Sequence, residues 1–487
     1  MKQYFAIIGA GLGGLAALGL LAAPAHAAGA LGLHPDNPHY FLFRGKPTII
    51  VSASEHYGAV LNRDFDYVKY LDTLAGQGLN GTRTWVGAYC EPAGAFKIAA
   101  NTLAPEPGRF ISPWERSDTP GYHNGGNKFD LGKWSGLYFA RLKDFVHQAS
   151  RRGIIVEVNL FCPFYQESMW QLSPMNAANN VNGLGALART NVYTLDRSGD
   201  LLAVQDALVR KVVTELKGFD NCYYEICNEP YFGGVTPDWQ RHIAEVITET
   251  EKGLHVRHLI SQNVANGQAR VQDPPPEVAL FNFHYAAPPD AVTMNYDLNK
   301  VIGENETGFR GTNDAPYRME AWDFIVAGGA LFNHLDYSFA VGYENGAFAY
   351  PDSQPGGGSA ALRRQLRFLA RFMKQRDLIH FRPENSLLTG DVPAGLTARV
   401  LANPGQDYVV YVRLAPSLQP GGPQPAAFGE REMVLELALP AGEFEAQWFD
   451  PASGQALSYV RFSHPGGGAR LAAPAFAEDI VLAVRKP

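Results

Sequence analysis

Short apolar runs that end in polar or aromatic residues alternate along this chain with amphipathic helical patterns. Eight runs carry the rhythm: PTIIVSAS ending at Glu55-His56, GLNGTRTW around Arg83, GIIVEVNLF ending at Asn159, CYYEICNEP, HLISQN, EVALFNFHY, KVIGENETG and GALFNHLDY. Between them, apolar residues recur at helical spacing. Tyr138 to Arg152 places Leu142, Phe145 and Val146 on one face, and similar patterns cover Leu201–Lys217, Trp239–Lys252 and Tyr317–Ala327. Ala360–Arg376 reads as a closing helix. Strands alternating with helices imply parallel β-α units with right-handed crossovers. An open doubly wound sheet would gather its functional residues at one switch point. Here polar groups end nearly every strand, which favours an α/β fold with a closed (β/α)8 TIM barrel.

Other segments depart from that rhythm. YFLFRGKPTIIVS, from Tyr40 to Ser52, reads as two strand-like runs around a Gly-Lys-Pro turn. Glu91 to Trp134 is rich in Gly, Pro and aromatics, and is expected to cover the barrel mouth as a long loop. PDSQPGGGS, from Pro351 to Ser359, is a flexible stretch. From about Leu387 the texture becomes short alternating strands such as YVVYVRL, MVLELAL and IVLAVRK, separated by turns. That predicts a small antiparallel β-sandwich domain over 387–487, after a barrel over 28–386. A sandwich there either packs on the barrel flank or binds carbohydrate. No cluster of exposed aromatics marks it, which favours packing.

The first residues pose a choice. Gly9-Ala10-Gly11-Leu12-Gly13-Gly14 spells a dinucleotide-binding G-x-G-x-x-G. Such a loop needs a second strand and an acidic residue roughly 20 positions on, and LAALGLLAAPAHAAGALGLH supplies neither. Lys2, the apolar stretch Phe5 to Leu21 and Ala25-His26-Ala27 instead fit a signal peptide cleaved near Ala27. The expectation is export to the periplasm or the medium, with no membrane span thereafter.

Net charge is −7, without a block of basic residues, which argues against nucleic acid. The four cysteines, Cys90, Cys162, Cys222 and Cys227, lack zinc-ligand spacing. Cys222 and Cys227 fall on opposite faces of one predicted strand, so they are poor partners. Cys90 and Cys162 stand either as a bridge or as buried free thiols. No cofactor and no metal are expected.

The chemistry concentrates at two strand ends. Tyr223-Tyr224-Glu225-Ile226-Cys227-Asn228-Glu229-Pro230 is an apolar run ending in Asn-Glu-Pro. As the fourth strand it aims Glu229 into the mouth, where barrels of this kind do their chemistry. Asn228 offers both donor and acceptor, suited to a sugar hydroxyl. Three units on, Val301-Ile302-Gly303-Glu304-Asn305-Glu306-Thr307-Gly308 ends the seventh strand. Two carboxyls facing each other across a barrel are the minimum equipment for glycoside hydrolysis. A negative neighbour is expected to raise the pKa of the acid.

On these residues the sequence resembles the glycoside hydrolase A clan of retaining enzymes, over roughly Tyr40 to Arg382. The resemblance implies a carbohydrate substrate, with Glu229 as acid/base and a strand-seven glutamate as nucleophile. Glu306 fits a Glu-x-Gly ending and Glu304 an Ile-Gly-Glu ending. Both would face one side of a regular strand, and Glu306 is preferred. Arg83 resembles the clan arginine that keeps the nucleophile ionised. His284 and Tyr285 end strand six, where the clan often has a ring contacting the nucleophile; adjacent His-Tyr leaves open which ring turns inward. Glu55, His56, Tyr57, Trp85 and Asn159 are placed to line a sugar subsite, and Asp336-Tyr337 falls where the clan often has an aromatic platform, with Asp336 a third candidate carboxylate, for hydroxyl binding rather than catalysis. Trp114, Tyr165 and Trp170 are weaker loop candidates. The alternatives are a non-catalytic carbohydrate-binding or scaffold barrel, which needs no opposed carboxylates, and a transglycosylase.

Overall fold

The structure is a computed structural model that describes residues 30–415 and 431–487. The leader expected over 1–27, with its expected cleavage point, lies outside the described residues. Eight parallel strands form one sheet: β1 (Ile50–Ser54), β2 (Gly81–Trp85), β3 (Ile155–Phe161), β4 (Cys222–Cys227), β5 (Ile260–Asn266), β6 (Leu280–His284), β7 (Val301–Thr307) and β8 (Leu331–Leu335). The ladder runs β1-β8-β7-β6-β5-β4-β3-β2. Asn80 bridges the two ends: its backbone N–H donates to Val51 at 3.3 Å, and its side-chain oxygen accepts from the Val51 N–H at 2.9 Å. Nearly every strand residue is buried, because helices cover the outside and side chains fill the inside.

Helices α1 (Tyr67–Gly76), α2 (Gly136–Arg151), α3 (Leu201–Leu216), α4 (Pro237–Leu254), α5 (Asp290–Asn295), α6 (Asp314–Val326) and α7 (Ala360–Lys374) surround the sheet. Several begin at a side-chain cap: Asp66, Ser135, Thr236, Asn313 and Ser359 accept from first-turn N–H groups. α4 adds Pro237 at its first position. α7 buries Leu362, Leu366, Leu369 and Phe372 on one stripe. The predicted alternation fails once: no helix joins β5 to β6. Pro274, Pro275 and Pro276 stand in that connection and cannot propagate a helix.

The segment after β2 is not wholly loop. Trp114–Pro120 and Asn127–Trp134 pair as an antiparallel hairpin. A second long connection, 162–200, follows β3 and was not expected.

The C-terminal region is antiparallel: β9 (Leu396–Asn403), β10 (Asp407–Leu414), β11 (Arg431–Leu439), β12 (Gly442–Phe449), β13 (Ala456–His464), β14 (Gly467–Phe476) and β15 (Asp479–Arg485). β9, β10, β15, β12 and β13 share one sheet, while β11 pairs with β14. Both sheets contribute to a common apolar core that includes Val410, Leu435, Trp448 and Leu471. The first sheet also recruits Arg382–Pro383, which pairs with Leu401 and Ala402. α6 lies between barrel and sandwich and is buried on every side. All four cysteines are buried free thiols.

Candidate active site

The chain leaves β4 through Asn228, whose N–H donates to Phe161 at 2.9 Å. The next residue, Glu229, has φ of +37°, in the left-handed region that a non-glycine residue rarely occupies. Tyr57 after β1 (φ +59°) and Tyr285 after β6 (φ +52°) share that feature. Each such conformation costs about 1–3 kcal/mol, so the surroundings must hold it. All three residues stand at one end of the barrel and surround the same space.

On β7 a bulge decides which glutamate enters that space. Phe283 pairs with Glu304, but His284 pairs with Glu306, so Asn305 is an extra residue. Asn305 points into the barrel, where its amide donates to Glu157 at 2.8 Å and to Glu225 at 2.6 Å. Glu304 turns outward. It accepts from the Ala286 N–H at 2.7 Å and meets Glu320 of α6. Burial first, and then the Glu320 charge, push its carboxyl well up. The expectation that Glu304 and Glu306 face one side is therefore corrected: the bulge breaks the two-residue period.

Glu306 and Glu229 meet across the mouth. With His284 they place one ligand-type atom each within 4.8 Å of one another. His284 Nδ1 lies 3.2 Å from Glu229 and 3.5 Å from Glu306. Tyr285 Oη donates to Glu306 at 2.7 Å, so both rings of the His-Tyr pair turn inward. Arg83 reaches Glu306 through Nη1 at 3.2 Å. Its other donors go to Glu157 at 2.6 Å, to Asn228 at 2.8 Å, and to Glu225. The guanidinium also stacks on the Tyr57 ring. Asn228 is engaged at both ends of its amide, accepting from Arg83 and donating to Tyr165 at 2.8 Å. Tyr165 in turn donates to Glu229 at 2.6 Å, and Tyr231 donates to it at 3.3 Å.

The charge balance differs from the sequence expectation of a raised acid. Burial pushes the Glu229 carboxyl up, but His284, Tyr165 and Asn266 outweigh it and hold the carboxyl below its usual range. Burial opposes the imidazolium of His284, yet Glu306 and Glu229 together raise it above its ordinary value. His284 thus stands between Glu229 and Glu306, which favour its charged form.

His56, Tyr57, Trp85 and Tyr337 line the rest of the space. His56 Nε2 lies 3.8 Å from Glu91, and its ring packs against Tyr57 and Tyr337. Trp85 packs between Tyr57 and Tyr89. Asn159 is buried with neither amide atom partnered. Other candidates fall outside. Asp336 binds Arg363 of α7 and accepts from Ser338, and Glu55 accepts from Thr102 and the N–H groups of Gly58 and Ala59. Trp114 stacks on Trp134, and Trp170 donates to Leu187. Tyr231 and Glu91 were missed as site residues, because both sit on loops with no periodic pattern. Among the described residues, Glu229, His284 and Glu306 form the one group whose spacing suits a metal ion. Within it, His284 Nδ1 hydrogen-bonds Glu229 and faces Glu306 at 3.5 Å.

No protein-family model matches the chain, and no curated protein matches its sequence. Solved structures do resemble it. A glycoside hydrolase family 5 protein from Bacteroides vulgatus superposes with a TM-score of 0.61 at 14% identity, covering 94% of each chain. A second Bacteroides vulgatus protein, provisionally described as a glycoside hydrolase, gives 0.65 at 15% identity over 94% of this chain and 83% of that one. A further structure described as a glycoside hydrolase gives 0.61 at 14% identity over 94% and 97%. At such identities the likeness speaks for architecture alone: over 94% of its length this chain shares its fold, a (β/α)8 barrel followed by an antiparallel domain, with structures described as glycoside hydrolases.

Proposed function

We propose that the protein is a retaining glycoside hydrolase, with Glu229 as acid/base and Glu306 as nucleophile. The observation that carries this reading is the Glu229–Glu306 pair, with oxygens within 4.8 Å. Retaining enzymes hold their carboxyls about 5–5.5 Å apart, whereas inverting ones leave about 6.5–9.5 Å for a water. Structural likeness to glycoside hydrolases supports a carbohydrate substrate.

Glu306 attacks the anomeric carbon while Arg83 and Tyr285 hold its two oxygens in place. The departing oxygen needs a proton. His284 Nδ1 passes its proton to Glu229, 3.2 Å away, and Glu229 delivers it to the glycosidic oxygen. In the second half, Glu229 deprotonates a water that releases the sugar from Glu306, and the proton returns to the pair. A non-catalytic scaffold has no need of paired carboxylates around a strained glutamate. A transglycosylase uses the same first half and differs only in its acceptor.

Glu306→Gln is expected to abolish steady-state turnover of 4-nitrophenyl glycosides, and Glu229→Gln to slow it by about 10²–10⁴-fold, while the fold is kept. Turnover near that of the unaltered enzyme in either variant overturns the assignment of that residue.

A further inference from the structure

The chemistry of the two carboxylates orients the site. The nucleophile bonds to the sugar that carries the anomeric carbon, and the acid protonates the group that leaves. Residues around Glu306 therefore hold the glycone, and residues around Glu229 hold the leaving group.

The inner walls of these two sides differ in access. His56, Tyr57, Trp85 and Tyr337, on the Glu306 side, are 1–6% exposed, while Tyr231 and Phe232, beside Glu229, are 37% and 44% exposed. The buried side also carries polar atoms without partners: His56 Nδ1, Trp85 Nε1, Tyr57 Oη and Tyr337 Oη. Buried polar groups in native proteins are normally paired. Four orphans around one space mark it as shaped for something rich in hydroxyls.

Glu91, from the insertion after β2, closes this side. It is buried, and the double displacement does not use it. It accepts from Tyr89 at 3.1 Å and from Asn101, and faces His56 Nε2. Tyr337, raised first by burial and then by Glu306 and Tyr317, also feels the Glu91 charge. His56 thus links Glu91 to the Tyr57 and Tyr337 rings on this side. Beyond its Asn101 contact lies a separate cavity of about 280 Å³, lined by Asn62, Asp64, Ile98, Asn101, Glu106 and Val341. None of the residues around the catalytic carboxylates lines it. Phe96 meets Phe309 edge-on at 6.5 Å, and Phe309 packs against Tyr285 and Tyr337, forming a roof whose outer rings are themselves 36% and 38% exposed. Phe96 and Lys97 both have positive φ (+53° and +63°), so the turn that presents this roof is itself held in place.

We propose that the glycone side is a blind pocket for one terminal sugar, with Glu91 as the residue that accepts hydrogen bonds from its hydroxyls. The enzyme is then exo-acting, removing single units from the non-reducing end, with an open aromatic mouth for the leaving group. This rests on the glycosidase reading.

The test takes the 4-nitrophenyl glycoside turned over fastest among β-D-gluco-, manno-, galacto- and xylosides, and the matching pentasaccharide labelled at its reducing end. The expected products are tetra-, tri- and disaccharide in that order, with no cleavage when the non-reducing terminus is blocked by a 4,6-ketal (a 3,4-ketal for xylose). Early di- and trisaccharide, or cleavage of the blocked chain, overturns the blind pocket and leaves the glycosidase reading standing. No turnover of any aryl glycoside overturns the glycosidase reading itself. For Glu91, hydrogen bonds to a charged group are worth about 10- to 100-fold. Glu91→Ala is expected to lose that factor in kcat/KM on the parent glycoside. On a 3- or 4-deoxy glycoside, already weakened in the unaltered enzyme, the same substitution is expected to cost little more. Equal losses on parent and both deoxy substrates make Glu91 merely structural.

Discussion

Two clusters of buried charge share this molecule, and they are built differently. Beneath the C-terminal domain, the buried carboxylates of Asp323 and Asp479 are each held by arginine. Arg318 of α6 donates to both oxygens of Asp479 at 3.1 and 2.8 Å, and Tyr411 donates to the same carboxylate at 2.8 Å. Asp323 accepts from Arg399 at 2.6 Å and from Arg413 at 2.8 Å. Trp322 stacks on Tyr411 alongside them. In the barrel mouth, Glu157, Glu225, Glu229 and Glu306 crowd around Arg83 and His284. Burial, opposed by Arg83 and reinforced by Glu157, pushes Glu225 up to about 7. The flanking backbone is strained, and several polar atoms lack partners. Matched charges hold two domains together; mismatched charges hold protons ready to move.

That contrast predicts opposite consequences for similar substitutions. Glu306→Ala is expected to lower kcat/KM by about 10⁴-fold or more, and Glu229→Gln by about 10²–10⁴-fold, with urea midpoints unchanged or raised. Asp323→Ala leaves Arg399 and Arg413 facing a vacancy, and losing one partner of a buried pair costs about 3–5 kcal/mol. A lowered urea midpoint with normal kcat per folded molecule is the expected result. If the mouth variants unfold the protein and the interface variant does not, the contrast fails.

A sharper test is pH. His284 has a raised pKa, so its proton is kept above pH 6.5 and lost as pH rises through the raised value. Its stabilising contribution is fully present below the unfolded value and disappears over that same rise. Glu229 runs the other way: its contribution holds above about pH 4.5 and is lost as pH falls through its lowered value. The basic limb of kcat/KM should therefore lie above 6.5. His284→Gln should move it to lower pH, because Glu229 must then hold the proton alone; an unmoved limb removes His284 from proton delivery. A smaller effect follows from the three-atom spacing: Zn²⁺ should inhibit competitively with the aryl glycoside, and His284→Gln should weaken that inhibition. The smallest effect is expected for Glu304→Gln, which leaves kcat/KM nearly unchanged because Glu304 faces α6.

Much of this was legible in the sequence. Each barrel strand is a compact apolar run with a polar end, so the pattern carried both fold and mouth. Glu229 was marked by the Asn-Glu-Pro ending of the fourth strand, and Arg83 by its resemblance to the clan arginine. The choice between Glu304 and Glu306 did not, because one inserted residue, Asn305, changes the parity of the strand and leaves no mark in the hydrophobic pattern. Tyr165, ranked low, and Glu91, unranked, reach the mouth from long irregular connections, where spacing carries no orientation. Asp336 shows the reverse error: a strand-end carboxylate in the right place, claimed by Arg363 from the closing helix. The direction of the Glu229 shift was also hidden, since it depends on an imidazole brought from β6.

The central claim is that Glu306 attacks the sugar while Glu229 stands opposite. Incubation with an activated 2-deoxy-2-fluoro glycoside, followed by peptide mapping of the intact protein by mass spectrometry, tests it most directly. The account predicts one fluorosugar ester on Glu306 and, with the ordinary glycoside, a released sugar of unchanged anomeric configuration. A label on Glu304, or a turnover product of inverted configuration with no label at all, contradicts it.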